Sequence, residues 1–217
     1  MRDVPMTPER IAELLEPFLE DTSLSPSQLG QIETFSALLL KWNAHMNLTA
    51  VWNPDEVITR HFGESLFAAR RLFQFPARQQ TAIDVGSGAG FPGIPLKIWE
   101  PTLVLTLIEA NQRKAVFLRE VVRALGLSKV TVFADRAEML SDQVDLVILR
   151  AVEHFEKMLP IALKLAAQNG HIALLIGNAQ IQTAKSVIGH VKWQDPLPLP
   201  LSKSRSLLIG GAVLDHP

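Results

Sequence analysis

The chain has 217 residues, of which 47% are hydrophobic and 20% charged, and it contains no cysteine. This composition is typical of a globular protein and excludes disulfide cross-links and thiolate metal sites, so no metal is expected. The formal net charge of −1 excludes a general electrostatic attraction to nucleic acid, and RNA binding would need a local basic surface.

The chain shows no targeting or membrane signal. Its first residues contain no apolar run typical of a signal peptide, and no stretch of about 18 apolar residues occurs. We therefore expect a cytoplasmic protein that makes no use of a membrane, and we expect it to be a monomer.

Residues 1–75 have helical periodicity throughout and are predicted to form an α-helical extension. Apolar side chains recur at the spacing of one helix face over residues 11–18 and again over residues 29–42. Residues 25–28 (SPSQ) have the pattern of a capping box with proline at the first helical position, and residues 53–56 (NPDE) repeat it. These signals mark the starts of two helices.

Residues 76–217 alternate between strand and helix patterns and are predicted to form one core. Strands are predicted at 82–85, 103–108, 129–133, 144–149 and 171–176, and helices at 91–99, 111–126, 155–167 and 179–188. Such alternation predicts an α/β fold with a doubly wound parallel sheet and helices on both faces. Pro196, Pro198 and Pro200 predict a loop, and residues 206–209 predict a last, antiparallel strand.

The first predicted strand ends at Asp84 and runs into a glycine-rich turn, residues 84–90 (DVGSGAG). Gly86, Gly88 and Gly90 accept positive φ and let a ligand approach the backbone closely. Because open α/β sheets bind ligands outside the carboxyl ends of their strands, this turn is the predicted binding site. The carboxylate of Asp84 is suited to a positively charged group of the ligand.

Acidic side chains also follow the next two predicted strands. Glu109 stands about 20 residues beyond the glycines, where a carboxylate can accept hydrogen bonds from both hydroxyls of a ribose. The third strand leads to residues 135–138 (DRAE), which are placed to reach an adenine. A carboxylate placed to bind a ribose, together with one placed near an adenine, predicts a nucleoside cofactor.

Two cofactor classes fit this spacing. Residues 88–93 (GAGFPG) satisfy the dinucleotide fingerprint G-x-G-x-x-G, so a nicotinamide dinucleotide is an alternative to S-adenosylmethionine. An acid just before the first glycine favours the cationic aminoacyl group of S-adenosylmethionine, because it would repel a pyrophosphate. The chain also has no tyrosine, which excludes a tyrosine-dependent short-chain dehydrogenase.

Several blocks recur in a known order: 41–50 (KWNAHMNLTA), 60–61 with Ser65, 84–95 (DVGSGAGFPGIP), 113–114 with 117–119, 136–138 and 150–151. With these blocks, the chain resembles over nearly its whole length the glucose-inhibited division protein B family, the ribosomal RNA small-subunit methyltransferases G. The resemblance implies a class I methyltransferase (Rossmann-like) fold: a mostly parallel doubly wound sheet with an antiparallel C-terminal strand and an N-terminal α-helical extension.

The resemblance implies methyl transfer from S-adenosylmethionine to N7 of one guanine in small-subunit (16S) ribosomal RNA, either free or in a ribosomal particle. It also implies cofactor contacts by Gly86, Phe91, Ala137, Glu138 and Arg150. Two positions depart from the family pattern. Ile176 stands before a glycine where the family usually has lysine, and Glu64 stands where aspartate is usual. The first departure puts one expected cationic contact in question.

Three side chains are candidates for a catalytic role. Guanine N7 carries a free lone pair, so its methylation needs no general base and depends chiefly on alignment of the reactants. Arg150 ends the fourth predicted strand, where substrate and cofactor meet in this architecture, and arginine suits bidentate contacts. His61 and Asn47 come from the helical extension and could cover the cleft. The aromatic Phe35 lies on an apolar helix stripe and is predicted to belong to the core.

Two further functional classes stay open at this point. The chain could methylate another RNA, a protein or a small molecule, or it could be a non-catalytic module that binds a nucleoside without turnover. Methyl transfer to ribosomal RNA separates the first hypothesis from both of these.

Overall fold

The N-terminal part of the chain folds into capped helices, as the sequence predicts. The computed structural model describes residues 6–73 and 80–211. Helix α1 spans Pro8–Leu19 and helix α2 spans Pro26–Asn43, and the capping box predicted for α2 is formed between Ser25 and Gln28. Within residues 6–73 and 80–211, no helix is both long enough and apolar enough to cross a membrane.

A third, irregular helix follows. It begins as α3 (Pro54–Glu56), continues as a π-helical stretch (Val57–Gly63) and ends as α4 (Glu64–Leu72). A Cβ atom at Gly63 would lie 2.5 Å from the ring of Phe18, so only glycine permits this close approach of α1. The π-helical stretch carries the candidate His61. Its position agrees with a functional role, because π-helical turns often occur at functional sites.

In the described residues, eight strands form one mixed sheet. They are β1 (Thr81–Val85), β2 (Val104–Ile108), β3 (Val130–Phe133), β4 (Val144–Arg150), β5 (Ala166–Gly177), β6 (Lys192–Trp193), β7 (Leu197–Pro198) and β8 (Arg205–Gly211). The order is β3-β2-β1-β4-β5-β8-β6, with β7 paired to β8. Strands β1 to β5 are parallel to one another, whereas β8 is antiparallel to β5. The predicted α/β sheet with an antiparallel C-terminal strand is confirmed.

In the part of the chain that the structure describes, four further α-helices cover the sheet: α5 (Gly93–Trp99), α6 (Gln112–Ala124), α7 (Phe155–Lys164) and α8 (Ile181–Val187). Helix α5 starts two residues later than predicted, because residues 91 and 92 still belong to the turn. Helix α7 ends three residues earlier than predicted. Ala166 pairs with Val144 in the sheet, and a short apolar run does not distinguish helix from strand.

The proline-rich tail also differs from the prediction of a plain loop. Strands β6 and β7 both add antiparallel pairs to β8. Pro198 is accommodated at the end of a two-residue edge pair, a position where a missing N–H group is tolerated. The C-terminal part of the sheet is therefore wider than the sequence pattern indicates.

The helical extension and one face of the sheet share a hydrophobic core. Phe35 is fully buried, as predicted, and its ring contacts those of Phe62 and Phe91 at centroid distances of 5.1 and 4.9 Å. The same cluster includes Ile11 of α1 and Leu207 of β8. A second cluster on the other face of the sheet holds α7 and α8. The predicted boundary at residues 75–76 lies outside the described residues.

Candidate active site

A cleft of about 1000 Å³ opens at the carboxyl ends of the parallel strands. This is the edge at which open α/β sheets bind their ligands. The core contributes residues 85–89, 108–111, 135–138 and 150–154 to its walls, and the helical extension contributes residues 48–51 with Glu56, Arg60, His61 and Glu64. The cleft is therefore bounded by both parts of the chain.

The glycine-rich turn forms the floor of one end of this cleft. Gly86 and Gly88 line it with φ values of +69° and +55°, in the left-handed region that favours glycine. A Cβ atom at Gly86 would lie 3.1 Å from the Cγ1 atom of Val152. Gly90 is buried beneath the turn, where a Cβ atom would lie 2.6 Å from the Cδ1 atom of Ile94. Two of the three glycines thus border the cleft, and the third permits core packing.

Asp84 lies behind the turn and is fully buried, outside the walls of the cleft. Its Oδ2 atom accepts a hydrogen bond from the backbone N–H of Gly93 at 3.0 Å, which ties the turn to the start of α5. Its Oδ1 atom is buried and has no hydrogen-bond partner among the described residues. Burial raises the pKa of the Asp84 carboxyl to about 7. Asp84 therefore supports the turn from the core side, and the expectation that it contacts the ligand directly is not met by this geometry.

Glu109 connects the glycine turn to the next helix. Its Oε2 atom accepts a hydrogen bond from the N–H of Gly88 at 2.9 Å, and its Oε1 atom accepts one from the N–H of Asn111 at 2.7 Å. Each carboxylate oxygen can accept a second hydrogen bond, and Glu109 lines the cleft. It can therefore orient the turn and still receive hydroxyl groups of a ligand.

The segment after β3 closes this end of the cleft. Ala137 and Glu138 both line the cleft, and they lie in a short 3₁₀ turn, Ala137–Met139. Ala137 is buried and Glu138 is exposed. The structure thus brings this pair to the same cleft as Gly86 and Glu109, as the nucleoside hypothesis requires.

Arg150 lines the cleft at the end of β4 and is bound to the helical extension. One terminal nitrogen donates to the backbone carbonyl of Arg60 at 2.8 Å and to the Oε2 atom of Glu64 at 3.1 Å. The other terminal nitrogen is buried without a hydrogen-bond partner in the described part of the chain. Arg150 therefore holds extension and core together while one donor group stays available.

Glu64 is the common partner of two arginines. Its carboxylate is only 2% exposed and also forms an ion pair with Arg205 of β8, at 2.6 Å. Burial raises the pKa of Glu64, and the charges of Arg150 and Arg205 oppose that rise. The substitution of glutamate for the usual aspartate thus preserves a carboxylate that neutralises part of an arginine cluster.

His61 reaches the cleft from the π-helical stretch. Its Nε2 atom lies 2.7 Å from the Oγ1 atom of Thr49, and its ring stacks on that of Phe91 at a centroid distance of 4.9 Å. Burial, followed by the positive charge of Arg150, lowers the pKa of His61 to about 3. The imidazole is therefore neutral at physiological pH. Phe91, which also lines the cleft, joins the cofactor-side turn to the extension.

Asn47 is exposed and lies outside the walls of the cleft, whereas the neighbouring residues 48–51 line it. The asparagine that organises this loop is Asn43, which sequence reasoning missed. Its buried side chain accepts hydrogen bonds from the N–H groups of Leu48 and Thr49, both at 2.9 Å, and donates to the carbonyl of Thr49 at 3.0 Å. An asparagine at the end of an apolar helix stripe was the available signal.

The position where the family usually has lysine lies in an apolar part of the wall. Ile176 is buried, and Leu175 and Leu199 line the cleft beside it. The nearby Gln180 accepts a hydrogen bond from the N–H of Gly177 at 3.1 Å. Within residues 6–73 and 80–211 there is no group of three side chains that could hold a metal ion.

Comparisons with known proteins agree with this architecture. The family model for rRNA small subunit methyltransferase G matches residues 28–188. The Ribosomal RNA small subunit methyltransferase G of Roseiflexus castenholzii is 36% identical over 199 residues, which cover 86% of this chain and 84% of the relative.

Solved structures share the fold at low sequence identity. A SAM-dependent methyltransferase from Aquifex aeolicus superposes with a TM-score of 0.59 at 15% identity, covering 82% of this chain and 98% of that one. TYW2 of M. jannaschii in complex with AdoMet superposes with a TM-score of 0.53 at 15% identity, covering 68% of this chain and 75% of that one. These likenesses show the fold of an S-adenosylmethionine-dependent methyltransferase.

Proposed function

The chain belongs to the rRNA small subunit methyltransferase G family, and we propose that it methylates N7 of a guanine in small-subunit (16S) ribosomal RNA. It is an S-adenosylmethionine-dependent methyltransferase. The observation that carries the substrate proposal is the shared cleft, which has a nucleoside-type end in the core and a second end walled by the helical extension. The wall that the helical extension forms beside the cofactor end leaves a place for the second reactant, the guanine.

The residues of the cofactor end fit S-adenosylmethionine. The space above Gly86 and Gly88 allows close approach to the backbone, and Glu109 keeps lone pairs for ribose hydroxyls. Ala137 and Glu138 would flank the adenine. One terminal nitrogen of Arg150, which lines the cleft, has no hydrogen-bond partner in the described residues and is a donor for the carboxylate of the cofactor's amino acid group. Asp84 supports the turn from the core side. Gly90 packs beneath the turn, whereas Phe91 lines the cleft and also packs on Phe35 of the extension.

The bound cofactor supplies an electrophilic methyl group on a sulfonium. The protein has to align the guanine N7 lone pair with that carbon, and no proton has to be removed first. This agrees with His61, whose low pKa leaves it neutral and unsuited to act as a general acid. We propose that His61 and Arg150 orient the guanine and the cofactor and transfer no proton, and that Asn47 has no direct part.

The test is transfer of labelled methyl from S-adenosylmethionine to small-subunit particles and to protein-free small-subunit RNA, both from cells lacking this protein. We expect one N7-methylguanine in the RNA. Tight cofactor binding without transfer to either substrate would remove the RNA assignment and favour another methyl acceptor or a non-catalytic nucleoside-binding module.

We also propose that the protein acts as a monomer in the cytoplasm, where ribosomal subunits are assembled. Sedimentation of the pure protein and fractionation of cells check these two points. A stable dimer, or recovery with the membrane fraction, would contradict them.

A further inference from the structure

An exposed indole follows directly, in the chain, a segment of the helical extension that lines the cleft. Trp52 is 53% exposed and directly follows residues 48–51, which line the cleft. Five large hydrophobic side chains are exposed in the described residues, and Trp52 is the aromatic one among them. Exposing a large aromatic surface to water is unfavourable, so an aromatic ligand that covers the Trp52 ring gains free energy from removing that surface from water.

The backbone on both sides of Trp52 is held in place. On one side, Val51 is buried in the core, and its N–H donates to the Oγ1 atom of Thr49 at 3.1 Å. On the other side, the side chain of Asn53 accepts a hydrogen bond from the N–H of Glu56 at 3.1 Å, which caps α3. A side chain carried by an ordered segment loses less conformational freedom when it binds a ligand than one on a mobile loop.

The chemistry of the proposed substrate matches a flat apolar surface at this place. Proteins that read single-stranded RNA stack unpaired bases on aromatic side chains, because a base that leaves its helix loses its stacking partners. With a net charge of −1, the chain cannot rely on overall phosphate attraction for affinity. The exposed Arg60, which lines the same end of the cleft, is available for a local phosphate contact.

We propose that Trp52 is a stacking platform for an unpaired RNA base next to the guanine that enters the cleft. The inference rests on the proposed function and names a substrate contact outside the reacting centre. Trp52 binds and positions the RNA and takes no part in methyl transfer.

The experiment compares Trp52→Ala and Trp52→Phe with wild type, using small-subunit particles and protein-free small-subunit RNA as substrates. Trp52→Ala should raise the KM for both substrates about tenfold, the range expected for loss of one base–aromatic stack. Trp52→Phe should retain most of the affinity, and the KM for S-adenosylmethionine should not change. Val116→Ala, which trims a side chain that is 50% exposed on α6 and does not line the cleft, is the matched control.

A second readout reports stacking directly. The fluorescence that distinguishes wild type from Trp52→Phe should be quenched when protein-free RNA is added. The inference is overturned if Trp52→Ala leaves the RNA KM unchanged, or if it affects particles only, which would indicate a contact with a ribosomal protein. If wild type itself methylates neither substrate, the proposed function fails. If wild type is active but Trp52→Ala has the same KM for RNA, only the stacking inference fails.

Discussion

The charge state of His61 follows from its burial against Phe91 and next to Arg150. With a folded pKa of about 3, the imidazole should not titrate between pH 5 and 8, whereas in the unfolded chain it should titrate near 6.5. NMR of the imidazole, assigned by comparison with His61→Gln, checks this. A ring that takes up a proton near pH 6.5 in the folded protein would contradict it.

The same pKa difference has a consequence for stability. Between pH 6.5 and 3 the unfolded chain binds a proton on His61 that the folded chain excludes. The contribution of His61 to the free energy of unfolding is therefore complete above pH 6.5 and decreases as the pH falls. Relative to wild type, His61→Gln should lose less stability on acidification over this range, as measured by urea unfolding.

Glu64 is the second residue whose role depends on charge. Glu64→Gln leaves Arg150 and Arg205 without their shared carboxylate, and we expect the free energy of unfolding to fall by about 2–4 kcal/mol. Glu64→Asp keeps the charge and should lose less than about 1 kcal/mol. Urea unfolding of both variants measures the difference. Equal losses would mean that side-chain length, and not charge, decides at this position.

At the scale of elements, two glycines with left-handed φ values allow the effect of backbone strain to be distinguished from the effect of blocking the ligand. Gly86 and Gly126 both have left-handed φ values, but only Gly86 borders the cleft, and a Cβ atom at Gly126 would meet nothing within 4 Å. Gly86→Ala and Gly126→Ala should each lose about 1–2 kcal/mol of stability through strain. Only Gly86→Ala should weaken S-adenosylmethionine binding, by at least about tenfold, or about 1.4 kcal/mol.

Calorimetric titration with the cofactor measures that difference. Weakened binding in both variants would point to a general loss of structure. Unchanged binding in Gly86→Ala would show that the cofactor does not approach this part of the turn.

Elements with a local signal could be predicted, since a cap, a glycine turn or a βαβ alternation lies within a short stretch of chain. The capping box at Ser25 and the strand that ends at Asp84 are of this kind. The side of the turn that each residue faces was not predictable, because a motif gives sequence positions and not side-chain directions. Asp84 and Gly90 therefore proved to face the core.

Contacts between distant elements had no signal in one sequence. Arg150 and Glu64 are 86 residues apart, and their ion pair arises only when the extension packs on the sheet. The same holds for His61, whose partners Thr49 and Phe91 come from a loop and from the glycine turn. Candidate residues could be named from the sequence, but their bonding partners follow from tertiary packing.

At the scale of the whole molecule, the site depends on one continuous core. Phe35 of the extension stacks on Phe91 of the glycine turn and packs edge-on against Phe62, so the floor of the cleft rests on the helical half of the chain. Because interiors are close-packed, a change in either half is felt in the other. We propose that residues 1–75 and 76–217 form one cooperative unit.

This proposal predicts the effect of removing the central ring. Phe35→Ala should lower the free energy of unfolding by about 3–5 kcal/mol, since the fully buried ring leaves a cavity. The control Val116→Ala, at a half-exposed position, should change it by less than about 0.5 kcal/mol. Helical circular dichroism and S-adenosylmethionine binding should be lost in one transition at a lowered Tm. Two separate transitions, with cofactor binding surviving the first, would show that the core holds the cofactor without its helical extension.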